Sequence, residues 1–197
     1  MIHLPRRAAG LKVGLLGGSF DPPHSGHMRI SEVALRRFGL DEVWWLFSPG
    51  NPLKTSGPAA MSRRIAKAKD LFHHPRVQFS NLEAELGTRY TAETLRAVTG
   101  AAPDMRFVWL MGADNLSQFH LWQDWRDIIE TVPMGILARP GLRLSARVSR
   151  TARIYKQHKL PASASRLLPG RPAPAWCFIN MPMNKTASSV IRATGAW

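Results

Sequence analysis

Six short runs of mostly apolar residues limit most tightly what this chain can fold into. They are Lys12–Leu16, Glu42–Phe47, Val77–Ser80, Phe107–Met111, Met134–Leu137 and Trp176–Ile179. Each is too short for a typical helix, and together they are rich in Val, Trp, Leu and Phe. Near-continuous apolar character predicts strands covered on both faces, hence a mostly parallel sheet. Longer stretches separate them, and His27–Phe38, Ala60–His73, Thr91–Thr99, Trp122–Glu130 and a weaker Ser145–Gln157 read as helices.

Strand–helix alternation with right-handed crossovers builds a Rossmann-like α/β domain, a doubly wound, mostly parallel sheet with helices on both faces. Ligands of such a sheet bind beyond the C-terminal ends of its strands. The informative loops are therefore those that follow strands: 17–26, 48–54, 81–90, 112–115 and 139–141. One domain spans 1–197 in this reading, with a weak boundary near Gly141. Residues 142–174 form a basic segment: first a helix with Leu144, Val148, Ala152 and Tyr155 on one face, then a mobile connection, Pro161 to Pro174, rich in Pro, Ala and Ser. The last strand and a C-terminal motif occupy 175–197.

A chain of 197 residues can bury a substantial core. No apolar run approaches the ~20 residues of a membrane span. Arg6-Arg7 precedes an apolar run, but that run ends in Gly17-Gly18 with no small-residue cleavage site, so a cytoplasmic protein is expected. The single cysteine, Cys177, excludes an internal disulfide and a cysteine-based zinc site within one chain, and reads as a core residue. Net charge is +14, and after Glu130 there are eleven Lys and Arg but no Asp or Glu. Such a surface attracts polyanions. Without zinc-finger spacing, an aromatic RNA-binding signature or a repeat, a solvated basic face is expected rather than a dedicated nucleic-acid surface. A homo-oligomer is compatible with this composition.

The first strand runs into Gly17-Gly18-Ser19-Phe20-Asp21-Pro22-Pro23-His24-Ser25-Gly26-His27. Strand, glycine turn and helix start together gather backbone N–H groups and the positive end of a helix dipole, which suits phosphate. The turn is neither Gly-x-Gly-x-x-Gly nor a P-loop ending in Gly-Lys-Ser/Thr. Its distinguishing mark is the pair His24 and His27 directly after it. Gly26 leaves room for a phosphate, and two imidazoles can donate hydrogen bonds as charge builds on the oxygens of a reacting phosphorus. Metal ligation by the pair, with Asp21 as a third ligand, is the competing reading, and anion binding fits a phosphate cradle better.

This segment resembles the signature of the HxGH nucleotidyltransferases. The resemblance implies that Gly17, Gly18, Ser19, Phe20, His24 and His27 bind the ATP phosphates, with His27 nearer the α-phosphorus. It also implies that the acceptor's own phosphate attacks, and that pyrophosphate leaves with Mg²⁺ help. A second stretch, Thr186-Ala187-Ser188-Ser189-Val190-Ile191-Arg192, resembles the family's Ile-Ser-Ser-Thr-x-Ile-Arg motif. On that match Ser189 and Arg192 take the β- and γ-phosphates; Ser189 keeps a hydroxyl where the family has Thr, and Ala187 loses one. Five residues follow Arg192, so the long closing helix of many relatives is expected to be absent or very short.

Gly87 to Leu95 and Phe107 to Leu116, followed by Phe119, Trp122 and Trp125, resemble bacterial nicotinate-nucleotide adenylyltransferases. The resemblance spans Val13 to Arg192 and is weakest over 142–174. It implies that Thr88, Tyr90 and Trp122 hold the pyridine ring, that Gly112 and Asp114 meet the adenosine ribose, and that Lys54 neutralises phosphate. Arg139, of an Arg-Pro-Gly loop, would lie beside the nucleotide. By their residues alone, Trp122 reads equally as core, Asp114 as a helix N-cap and Lys54 as a surface lysine. Trp44, Trp45 and Trp109 are expected in the core. The implied activity is adenylyl transfer from ATP to nicotinate mononucleotide, a step of NAD biosynthesis. Three alternatives stand beside it: the same chemistry with nicotinamide mononucleotide or phosphopantetheine as acceptor, a nucleic-acid-binding protein using the basic C-terminal third, and a nucleotide sensor without turnover.

Overall fold

The computed structural model describes residues 2–50, 57–138, 146–181, 188–193 and 197, with 189, 190 and 193 as backbone only. The described strands are β1 (Lys12–Gly18), β2 (Glu42–Phe47), β3 (Val77–Ser80), β4 (Arg106–Gly112), β5 (Met134–Ala138), β6 (Lys159–Leu160) and β7 (Trp176–Asn180). They form one sheet in the order β3-β2-β1-β4-β5-β7-β6, and every pairing in it is parallel. All six expected strands are present. The seventh, β6, is a two-residue edge strand, too short to carry any periodicity.

Successive strand residues alternate between two buried layers. Val13, Leu15, Trp44, Trp109 and Met111 share one with Leu95, Val98 and Ile128; Leu16, Trp45, Phe47, Val108 and Leu110 share the other with Val33, Phe38 and Ala68. Burial on both faces is what makes the strands read as unbroken apolar runs. Trp44, Trp45 and Trp109 are core residues, as expected. Two of them also satisfy their indole N–H groups: Trp44 Nε1 donates to Glu42 Oε2 at 2.8 Å and Trp45 Nε1 to Ser31 Oγ at 2.8 Å. Cys177 is fully buried among apolar side chains, and burial pushes its thiol up to about 11.

The described α-helices of four or more residues are α1 (Ser25–Phe38), α2 (Met61–Leu71), α3 (Leu82–Glu85), α4 (Thr91–Ala101), α5 (Ala113–Gln118), α6 (Trp125–Thr131), α7 (Arg150–Ile154) and α8 (Ser188–Ala193). Gly39 ends α1 in the left-handed region, φ 64°, with its N–H on the Leu35 carbonyl. One expected helix starts late and another is broken. The helix expected over 122–130 is present as α6 from Trp125, after a 3-10 turn at Phe119–Leu121 and an irregular link with Asp124 at φ 51°. Over 145–157, Ser145 lies outside the described residues. Ser149 Oγ accepts the Ala152 N–H at 3.3 Å and starts a new helix, α7, inside the expected one. Ala152 and Tyr155 are buried as expected, but Val148, before the break, is 58% exposed.

The stretch Pro161 to Pro174, read as a mobile connection, carries a 3-10 run over Ala162–Gly170. Leu168 is fully buried and Ser165 Oγ donates to the Arg37 carbonyl at 2.8 Å, which seats this run against the end of α1. Its Pro- and Ala-rich composition hides these two anchors. No helix among the described residues is long and apolar enough to cross a membrane.

Candidate active site

From β1 the chain winds outward to β2 and β3 on one side, and later to β4 and β5 on the other. The crevice of such a sheet lies at that reversal, outside the C-terminal ends of β1 and β4. A cavity of about 390 Å³ opens there. Its wall includes Gly17 and Gly18 at the end of β1, Ser19 just after it, Ser48 after β2, and Tyr90 and Trp122 from the loops beyond β3 and β4. Thus the glycine turn and two of the three residues matched to the pyridine ring meet in one space. Gly17 is required there by packing, since a Cβ would come within 2.3 Å of Trp109 Cη2, part of a buried ring. Gly17→Ala is therefore expected to cost ~1–3 kcal/mol, read as a lower urea midpoint. An unchanged midpoint would contradict the packing argument.

The histidine pair owes its geometry to helix capping. His24 is the N-cap of α1 and His27 the third residue inside it. His24 Nδ1 accepts the Gly26 N–H at 3.0 Å, and His27 Nδ1 accepts the His24 N–H at 3.2 Å. This is the reciprocal arrangement of a capping box, built from two imidazoles. It also explains why α1 starts at Ser25 rather than at His27. A ring nitrogen that accepts a backbone N–H carries no proton, so the proton of each neutral imidazole sits on Nε2 and makes that atom a donor. The rings stack with centroids 3.8 Å apart and planes 28° from parallel. No acidic residue occupies the first turn of α1, so the positive end of its dipole is not offset by a local carboxylate.

Beneath the pair lies Phe20. Its ring is 3% exposed, stacked on Trp45 at 4.7 Å and edge-on to His27 at 4.9 Å. The phosphate contact expected of Phe20 can come only from its backbone. That backbone has φ 45°, an uncommon conformation for a residue with a side chain. The next residue, Asp21, is a hub. Its Oδ1 accepts the Trp197 Nε1–H at 2.6 Å and the Ala59 N–H at 3.3 Å, while its carbonyl accepts from Arg192 Nη1. Ser188 Oγ donates to the Pro22 carbonyl at 2.9 Å. So α8 docks on the turn, and Arg192 sits beside it, paired with Asp21. The side chain of Ser189 lies outside the described atoms.

On the other wall, Tyr90 is the N-cap of α4. Trp122 follows the 3-10 turn, half-buried and edge-on to Phe119 at 5.4 Å. Thr88 is not part of the cavity wall: its hydroxyl lies 2.8 Å from Thr94 Oγ1 and closes the turn internally. Gly112 caps α5 and Asp114 lies exposed in that helix's first turn, so Asp114 is not the N-cap. Lys54 and Arg139 lie outside the described residues.

Sequence reasoning missed Glu83, Arg89 and Thr91 on the cavity wall. Glu83 sits on α3, a single turn inside what read as a loop, and is 6% exposed. Burial pushes its carboxyl up from 4.5 to about 7, opposed by a hydrogen bond with Ser48. The folded state therefore holds a proton that the unfolded chain has already released above pH 4.5. This group costs nothing below that pH; its penalty grows as pH rises and is complete above about 7. Glu83→Gln removes the ionisation, so relative to the parent it should gain stability between pH 5 and pH 8, by up to ~3 kcal/mol. Thermal melts of both proteins at the two pH values test this, and an equal difference at both would contradict it.

A family model described as Cytidylyltransferase-like matches residues 15–193. A probable nicotinate-nucleotide adenylyltransferase of Ruegeria sp. (strain TM1040) is 60% identical over 187 residues, 95% of this chain and 99% of its own. One from Parvibaculum lavamentivorans is 50% identical over 189 residues, covering 95% and 94%. Among solved structures, Plasmodium falciparum nicotinic acid mononucleotide adenylyltransferase complexed with NaAD matches with a TM-score of 0.70. At 15% identity over 93% of this chain and 83% of that one, this is a likeness of fold. Half or more of the residues are shared with these two bacterial relatives along nearly the whole length, and the chain belongs to the nicotinate-nucleotide adenylyltransferase family within the Cytidylyltransferase-like proteins.

Proposed function

We infer that this chain transfers the adenylyl group of ATP to nicotinate mononucleotide, giving nicotinate adenine dinucleotide and pyrophosphate. The observation that carries this reading is the single cavity shared by the glycine turn, Tyr90 and Trp122, in a chain 60% identical to a relative bearing that name. An oxygen of the acceptor's phosphate attacks the α-phosphorus. The bond from that phosphorus to the bridging oxygen breaks, and its electron pair leaves with pyrophosphate. No group of the protein need be consumed, so catalysis is positioning plus stabilisation of charge.

In this reading the Nε2–H groups of His24 and His27 and the backbone N–H groups of Gly18 to Phe20 hold the triphosphate. Ser189 and Arg192 take the outgoing pyrophosphate, with Arg192 leaving its contact on Asp21 to do so. Lys54 adds a further cation, Gly112 and Asp114 meet the ribose, and Tyr90, Trp122 and Arg139 serve the pyridine nucleotide. Magnesium enters as part of the substrate, Mg·ATP. The described residues hold no cluster of three His, Cys, Asp or Glu that could bind a metal. The donors at the turn are N–H groups, which suit anions, so the phosphate oxygens carry the ion.

Pyrophosphate release from Mg·ATP, measured with each acceptor in turn, tests the reading. Release with nicotinate mononucleotide, faster than with nicotinamide mononucleotide, is expected. Absence of release with the acid nucleotide refutes it, and salt-sensitive RNA binding in its place would favour the nucleic-acid alternative.

A further inference from the structure

We infer that Arg64 is a positioning residue for the phosphate turn: it grips the Ser19 carbonyl from behind and so aims the Phe20 N–H at an incoming polyphosphate. This rests on the reading that the turn holds polyphosphate, and adds a residue from a helix outside it. Arg64 lies on α2 and is 1% exposed, among the largest fully buried side chains. A buried guanidinium persists only where its N–H groups find partners. Those of Arg64 find three carbonyls: Nε donates to Ala59 O at 2.7 Å, and Nη1 to Ser19 O at 2.5 Å and to Ser48 O at 3.0 Å.

Ser19 and Ser48 both line the cavity, and Arg64 does not. Their carbonyls, turned to Arg64, are therefore turned from the space that an anion would enter. In a trans peptide the C=O and the next N–H point in opposite directions. Holding the Ser19 carbonyl back thus sends the Phe20 N–H forward. The grip also accounts for the Phe20 backbone at φ 45°, which a residue with a side chain seldom adopts unless its surroundings impose it. Here two constraints act: Arg64 holds the preceding peptide, and the stack on Trp45 holds the ring. The shared Nη1 ties the turn after β1 to the loop after β2, a span also closed by the Ser48 N–H on Gly18 O at 3.0 Å. Burial pulls the guanidinium's pKa down from its ordinary value, and the nearby Asp21 carboxylate, which favours the charged form, opposes this in part.

Two variants and one measurement on the unchanged protein test this. Arg64→Lys keeps the charge but loses the planar fork; Arg64→Met loses both. For folded Arg64→Lys, calorimetry should show inorganic tripolyphosphate binding about 10-fold weaker, with the KM for ATP raised and that for the pyridine nucleotide within about 2-fold. Arg64→Met should weaken binding further. Parental tripolyphosphate affinity in Arg64→Lys overturns the inference. So does a parallel rise in both KM values that tracks a loss of Tm, the mark of a purely structural arginine. Should the variants not fold, backbone amide NMR of the parent protein decides: tripolyphosphate should shift the Phe20 N–H, and an unmoved Phe20 signal overturns the inference. If the parent protein binds neither tripolyphosphate nor Mg·ATP, the phosphate reading of the turn itself fails.

Discussion

His27→Ala is expected to lower turnover ~10²-fold or more while the protein remains folded, the loss typical of removing one preorganised donor from a developing negative charge. The geometry separates this loss from a stability effect. His27 has two jobs on two nitrogens: Nδ1 accepts the His24 N–H, and Nε2 bears the donor proton. Alanine removes both, and the capping part should cost ~1 kcal/mol of stability. Asparagine can keep an acceptor near the His24 N–H but does not reach as far as Nε2. His27→Asn should therefore recover much of the lost Tm and little of the lost turnover. Near-normal turnover in folded His27→Ala would sink the proposed mechanism, and full recovery of turnover in His27→Asn would reduce His27 to a cap.

Trp122→Ala should act on the other substrate. A cationic pyridinium against an indole face is worth ~1–2 kcal/mol when desolvated. Its loss predicts a KM for nicotinate mononucleotide about 10-fold higher, with the KM for ATP changed by less than about 2-fold. Trp122 is only half-buried, edge-on to Phe119 at the margin of the core cluster, so truncation trims that margin rather than its centre. Trp122→Phe should keep part of the stacking and fall between. Equal rises in both KM values would mark Trp122 as support for the whole site rather than as the face that receives the ring.

Much of this was legible in the sequence because burial leaves a pattern. Trp44 and Trp45 point to opposite layers yet both are enclosed, so β2 reads as unbroken apolar sequence and announces a covered, parallel sheet. The turn from Gly17 to His27 was legible for a different reason: its chemistry is contiguous in the chain. What escaped depends on contacts between distant segments. Glu83 reads as one more polar residue in a loop, and only the closure of α3 over the cavity buries its carboxyl. Arg64 stands next to Arg63 in an amphipathic helix, and no period tells which of the two turns inward. Ser149 capping a new helix inside an expected one, and Thr88 spending its hydroxyl on Thr94, are likewise decided by local hydrogen bonds that residue spacing does not encode.

The central place of β1 has a consequence for how the protein comes into being. Its partner on one side, β2, follows soon after it in the chain. Its partner on the other does not: Lys12 pairs with Arg106 and Leu16 with Leu110, nearly half the chain away. Closing so long a loop must precede any gain from the contacts, which slows formation of such pairings. On a ribosome, β1 waits with one edge bare until β4 has emerged, and an unpaired edge is where nascent chains misassociate. The glycine turn is thus synthesised well before β4, and part of its scaffold is missing until that strand arrives. Substitutions at Phe107 or Val108 of β4, neither of which lines the cavity, should therefore reduce the yield of native enzyme more than the activity of each molecule that succeeds in folding.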